Sequence, residues 1–106
     1  MVFITVPDKK EAENISAILI DSRIAACVNI IENIKSNFWW KGKKENIKEC
    51  LLIVKTRKSF FKKIVKTVKS AHSYDVPEII AIPIIAGYEP YLDWIEKSTS
   101  KLGSKQ

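Results

Sequence analysis

The residues of this chain best suited to chemistry sit in one short stretch, His72-Ser73-Tyr74-Asp75-Val76-Pro77-Glu78. An imidazole with nearby carboxylates, His72 with Asp75 and Glu78, is a ligand set for a divalent transition metal and suits Cu(II). The same residues admit a structural reading. His72 then ends a helix, where a cation favours the dipole, Asp75 makes a turn, and Tyr74 and Pro77 pack at a helix-to-strand corner. Elsewhere the chemistry is thin. With one histidine in the chain, a zinc finger or a His-x-x-x-His motif is excluded. Three glycines cannot build a phosphate loop or a dinucleotide fingerprint. No serine or cysteine shows the local pattern of a known nucleophile. Cys27 and Cys50 lie in apolar strand segments and read as buried free thiols, with a metal or redox role as the alternative. Trp39, Trp40 and Trp94 read as interface core or as the lining of a pocket between subunits.

The elements that must position these groups follow from periodicity. Val2 to Val6 is an apolar strand. Asp8 with Glu11 makes a capping box, and Ala12, Ile15 and Leu19 repeat as one helical face ending near Ser22. Strand character returns from Ile24 to Ile34, with Ala26, Val28, Ile30 and Ile34 on the apolar side, although Glu32 interrupts it. Gly42 marks a turn and Ile47 to Thr56 is the returning arm. Phe61, Ile64, Val65 and Val68 form a second helical stripe, expected to be capped by Thr56 or Ser59. Glu78 to Ile85 reads as a strand. A short helix with Pro90 in its first turn carries Tyr91, Leu92 and Ile95, and the tail from Ser98 is expected to be polar and frayed.

This order, β-α-β twice with a terminal helix, describes an α+β ferredoxin-like split βαβ sandwich in a single domain over residues 1–106. Its strand order is 4-1-3-2, which places the strand carrying Pro83 on an edge, where proline is tolerated. Two features go beyond the plan. The hairpin around Phe38-Trp39-Trp40-Lys41-Gly42 has arms longer than the usual five or six residues. Val2-Phe3-Ile4, Leu51-Leu52-Ile53-Val54 and Ile79-Ile80-Ala81-Ile82 are apolar at consecutive positions, so both sheet faces are apolar. A soluble monomer rarely exposes such a face, and one short helix cannot cover four strands. Neighbouring copies of the chain are expected to do so.

The net charge of +6 is partly local: Lys58, Lys62, Lys66 and Lys69 share a helical face, and Lys43, Lys44, Lys101 and Lys105 add to turns and tail. Without interleaved arginines and aromatics this reads as a solvated face. The third strand, Glu49 to Lys55, lacks the aromatic platform of an RNA-recognition sheet, so no nucleic-acid partner is expected. No apolar run reaches the roughly 20 residues of a membrane span, and the N-terminal apolar run has no basic region before it. The expected location is cytoplasmic, with no membrane partner and no structural disulfide.

Several stretches carry a resemblance. Arg23-Ile24-Ala25-Ala26-Cys27-Val28-Asn29, Trp40-Lys41-Gly42-Lys43, Leu51-Leu52-Ile53-Val54-Lys55-Thr56, His72 to Glu78 and Tyr91-Leu92-Asp93-Trp94-Ile95 stand in the order of the CutA family of divalent-cation tolerance proteins, which the chain resembles from Thr5 to Ile95. The resemblance implies a homotrimer related in architecture to the PII signalling proteins, with the long hairpin reaching a neighbour and Trp39 or Trp40 at the trimer interface. It implies a link to copper and other divalent metals, no required cofactor, and no catalysis. Members described as copper-binding look to carry a cysteine late in the first strand and two adjacent histidines before the connector; the matching positions here are Ile4 and Ala71-His72. A metal site would therefore need His72 with Asp75, Glu78 or Cys27, completed from another subunit, and weak copper binding is expected of it. The alternative is a PII-like sensor or scaffold that takes a small anion in an inter-subunit cleft near Lys55, Tyr88 and Trp94.

Overall fold

A computed structural model describes residues 1–100 of the 106; Lys101, Lys105 and the rest of the expected tail lie outside the described residues. Strand β1 (Val2–Val6) leads to helix α1 (Lys9–Asp21), then β2 (Cys27–Trp40) and β3 (Lys43–Lys55). A 3₁₀ turn (Lys58–Phe60) runs into α2 (Phe61–Ala71), followed by β4 (Ile79–Ala81) and α3 (Glu89–Ser98). The sheet is antiparallel with spatial order β2-β3-β1-β4, the split βαβ order expected from the sequence.

Local chemistry accounts for the elements. The Asp8 carboxylate accepts the Glu11 backbone N–H at 2.8 Å and starts α1, satisfying one of the orphan donors of a helix N-terminus. Ala12, Ile15 and Leu19 then bury one face of α1, and Ile64 and Val68 one face of α2. They close over Val2, Ile4, Val6, Cys50, Leu52 and Val54, alternate residues of the two central strands. The expected side-chain cap of α2 is absent. The 3₁₀ turn begins the helical path early, and the buried Thr56 hydroxyl donates instead to the Ile24 carbonyl at 2.6 Å. Strand β4 is also shorter than expected. Its ladder with β1 covers Ile79 to Ala81, Ile82 still exchanges backbone hydrogen bonds with Met1, and Pro83 has no N–H to continue.

The hairpin turns on Lys41 (φ 50°) and Gly42 (φ 78°), two successive left-handed residues joining the paired Trp40 and Lys43. This is the two-residue geometry that matches the twist of the flanking strands. The arms make the chain elongated, 47 × 27 × 22 Å.

One irregularity lies within β2. Ile31 pairs with Leu51 and Ile34 with Glu49, so Glu32 and Asn33 together stand opposite Cys50. This is a β-bulge, and Asn33 takes the left-handed conformation (φ 61°) that lets the strand absorb the extra residue. The bulge changes the alternation. In an unbroken strand Ile34 would share the core side with Val28 and Ile30, as the sequence pattern suggested. Instead Ile34, Phe38 and Trp40 join Ile31, Leu51 and Ile47 on the sheet face away from α1 and α2. Phe3, Ile53 and Ile80 continue that face across β1, β3 and β4.

The core account carries a stability prediction. Leu52 is fully buried, so Leu52→Ala should lower the unfolding free energy by about 2–5 kcal/mol. Loss of the Asp8 cap in Asp8→Ala should cost about 1 kcal/mol. Urea denaturation measures both, and a smaller effect for Leu52→Ala than for Asp8→Ala would contradict the packing described.

Candidate functional site

His72 is the C-cap of α2, and its ring is completely buried against α1. Both ring nitrogens are engaged. Nε2 lies 2.7 Å from the Thr5 carbonyl, and Nδ1 accepts the Tyr74 backbone N–H at 3.0 Å. A nitrogen that accepts carries no proton, so this arrangement corresponds to a neutral imidazole donating from Nε2. The Glu11 carboxylate approaches Nδ1 at 3.3 Å and accepts the Ser73 N–H. The Tyr74 ring lies 4.8 Å from the imidazole, and its hydroxyl donates to the buried Glu49 at 3.0 Å. Burial, then the hydrogen bond and negative charge of Glu49, push the Tyr74 phenol up to about 12. His72 therefore ties α1, β1 and the connector together.

The expected metal set is not assembled within one chain. Asp75 and Glu78 are exposed on the connector. Cys27 pairs with Lys55, whereas Thr5, against which His72 rests, pairs with Leu51. Four residues of β3 separate those two partners, roughly 13 Å of strand. Among the described residues no three of His, Cys, Asp and Glu converge on a metal-sized site. Cys50 is buried in the core, and burial, then Glu32 and Asp8, push its thiol up, so it stays protonated and unreactive.

A second polar cluster forms at the other end of the sheet, on the face away from α1 and α2. Lys55 stands across the ladder from Cys27, and its ammonium donates to the Asn29 side-chain oxygen. The Cys27 thiol lies 3.9 Å from that same oxygen. Helix α3 overhangs the cluster, held by Arg57, which donates to Thr99 Oγ1 at 3.0 Å and to the Glu96 carbonyl. Burial, then the neighbouring Cys27, pushes the Tyr91 phenol up. Trp94 stacks at a tilt on Tyr91, with ring centres 5.5 Å apart. The sequence reading placed Lys55 and Trp94 here and assigned Cys27 to His72 instead. It missed Asn29 and Tyr91, whose roles depend on the β2–β3 register and on where α3 docks. Tyr88, at the N-cap of α3, is exposed.

At the hairpin tip the two tryptophans part. Trp40 shares a face with Phe38, Ile34 and Ile47, whereas Trp39 lies among Lys35, Asn37, Lys44, Asn46 and Lys48. Trp39 is 69% exposed and Trp40 46%.

Comparison with known proteins adds the following. The family model described as CutA1 divalent ion tolerance protein matches residues 1–98. The chain is 44% identical over 99 residues to Protein CutA 1, chloroplastic, of Oryza sativa subsp. japonica, covering 93% of this chain and 56% of that protein. It is 47% identical over 97 residues to the divalent-cation tolerance protein CutA of Archaeoglobus fulgidus, covering 92% and 94%. The chain thus spans about half the length of the plant relatives it matches, 54% for that of Arabidopsis thaliana. The solved structure of the periplasmic divalent cation tolerance protein CutA from Archaeoglobus fulgidus superposes with a TM-score of 0.91 at 46% identity, covering 93% of this chain and 96% of that one. That of the divalent cation tolerance protein from Thermus thermophilus superposes with a TM-score of 0.91 at 43% identity, covering the same shares.

The Tyr74–Glu49 contact gives a pH prediction. A phenol held up to about 12 when folded and near about 10 when unfolded favours the fold below the unfolded value. That contribution is lost as pH rises from about 10 through about 12. Tyr74→Phe should flatten the alkaline loss of stability in this window, followed as urea midpoint against pH. An identical alkaline profile in wild type and variant would contradict the contact.

Proposed function

The chain belongs to the CutA1 divalent ion tolerance family, and from that premise we propose that it acts in divalent-cation tolerance as a homotrimeric binding protein without a catalytic step of its own. The observation that carries this reading is the apolar face left open by the fold. Phe3, Ile31, Ile34, Ile47, Leu51, Ile53 and Ile80 share it, and Phe38 and Trp40 extend it to the hairpin tip. Ile31 is 41% and Ile80 49% exposed; Glu49, Glu45 and Lys43 stand opposite Ile34, Phe38 and Trp40 on the same face, and exposed apolar residues bordered by polar ones mark an interaction surface. Copies of the same chain are the partner proposed for it, and the family resemblance supports a set of three. Trp40 and Phe38 then bury against a neighbour. A cytoplasmic location is part of this proposal for the present chain; relatives are named as chloroplastic and periplasmic.

Within the trimer we assign function to a small-anion cleft around Lys55, Tyr88 and Trp94, ahead of a metal centre on His72. Both His72 nitrogens are used by the fold, whereas the Lys55 cluster is assembled and open. Weak divalent-metal binding, copper before zinc, is the second reading, favoured by the Glu11 carboxylate beside His72 Nδ1. It requires the Tyr74 amide to give up Nδ1 and donors from another subunit, such as Asp75, Glu78 or Cys27, to complete the set.

Gel filtration with light scattering should report three chains at micromolar concentration, and a stable monomer would refute the assembly. Truncation of a buried aromatic typically costs about 3–5 kcal/mol, so Trp40→Ala should weaken the trimer markedly and more than Trp39→Ala. The reverse order would contradict the face assignment. Copper calorimetry on His72→Ala decides between the two ligand readings. Unchanged affinity removes His72 from any metal site; loss of binding, with the fold retained, restores it.

A further inference from the structure

We infer that Lys55, Asn29, Tyr91 and Trp94 form a binding site for a small organic anion, a carboxylate or phosphate attached to a planar ring. The inference deepens the cleft reading above and rests on the trimer only for the final burial of the site. Lys55 differs from every other described lysine. All the others are exposed, and Lys55 alone is half-buried. No ion pair between a lysine and a carboxylate forms among the described residues. For exposed lysines this needs no explanation, since water solvates them. For Lys55 water does the same in the single chain, where its contact with Asn29 is open to solvent, but the ammonium rests on that neutral amide oxygen and on no anion.

The position sharpens the point. Lys55 lies on the same sheet face as Leu51, Ile53, Phe3 and Ile31. Any covering of that face removes still more water from the ammonium. Burying an unpaired charge is costly unless a counter-charge arrives with it. A covered site therefore calls for one negative charge. The groups around Lys55 set the rest of the ligand. The Asn29 amide orients Lys55 and keeps its own N–H donors free for an anion's oxygens. The Tyr91 phenol, held in its protonated form by burial and Cys27, is a further polar contact. Trp94, 45% exposed and braced against Tyr91, offers a flat apolar surface next to that phenol. A cation, amide donors and an exposed indole fit a ring-bearing anion better than a bare one.

Calorimetry of the purified protein with acetate, inorganic phosphate, benzoate and adenosine monophosphate tests the inference. We expect benzoate or adenosine monophosphate to bind at least tenfold more tightly than the bare anion of the same head group, and the two arms identify which head group is preferred. Lys55→Met should abolish binding. So should Asn29→Asp, which leaves Lys55 in place and supplies its counter-charge from within, with circular dichroism unchanged. Trp94→Leu should remove the tenfold preference and leave the bare anion's affinity unaltered. No binding of any of the four, or binding unchanged in both Lys55→Met and Asn29→Asp, overturns the proposal. Light scattering on the same samples separates it from the assembly. A trimer that binds none of the anions refutes the site alone. A monomer that binds one in a Lys55-dependent way refutes the assembly and upholds the site.

Discussion

One extra residue in β2 governs how the outer surface of this protein is organised. A strand alternates its side chains strictly, so any shift by one residue exchanges its two faces. The bulge at Glu32 and Asn33 makes that exchange part-way along the hairpin. Before it, Val28 and Ile30 point to the core that α1 and α2 cover. After it, Ile34, Phe38 and Trp40 lie on the opposite side, in line with Ile31 and Leu51. Lysines 35, 44 and 48 are left on the other side of the arm with Trp39. The apolar surface of the sheet and that of the arm thus become one surface, and one partner can bury both.

The same face carries the polar cluster. Its apolar part calls for a cover, and its end holds the half-buried Lys55, resting on a neutral amide. Covering an apolar surface stabilises; covering an uncompensated ammonium opposes it. The two demands meet if an anion arrives when the face closes, which would link ligand binding to assembly by mass action. His72 is used the other way. Its imidazole is spent on the fold, as a neutral bridge from the end of α2 to β1 with Glu11 beside it.

Much of the fold was legible in the sequence because its periods are clean. The Asp8 cap, the stripe Ala12-Ile15-Leu19, the Gly42 turn and the edge position of the strand before Pro83 each follow from one local rule. What was not legible depended on register. Glu32 showed as a break in the apolar pattern, but a break does not say that the following residues change sides. The Cys27–Lys55 pairing depends on how the two long arms align, so Cys27 was grouped with His72 when its neighbours are Lys55, Asn29 and Tyr91. The missing cap on α2 has a similar origin. Thr56 has the right chemistry for capping, but the carbonyl of Ile24, thirty-two residues earlier, claims its hydroxyl. The metal reading of His72 and Asp75 came from residue types at close spacing. Spacing alone could not show that both ring nitrogens were already committed.

The bulge, on this reading, joins the arm to the sheet as one assembly face. Deleting Glu32 and Asn33 together tests this most directly, because Ile34 then follows Ile31 and stands opposite Cys50, which returns Ile34, Phe38 and Trp40 to the core-side alternation while removing no apolar residue. Light scattering should find the wild-type chain as a trimer and the deletion variant as a monomer whose circular dichroism still reports the α+β fold. A deletion variant that assembles as stably as the wild type would contradict the account.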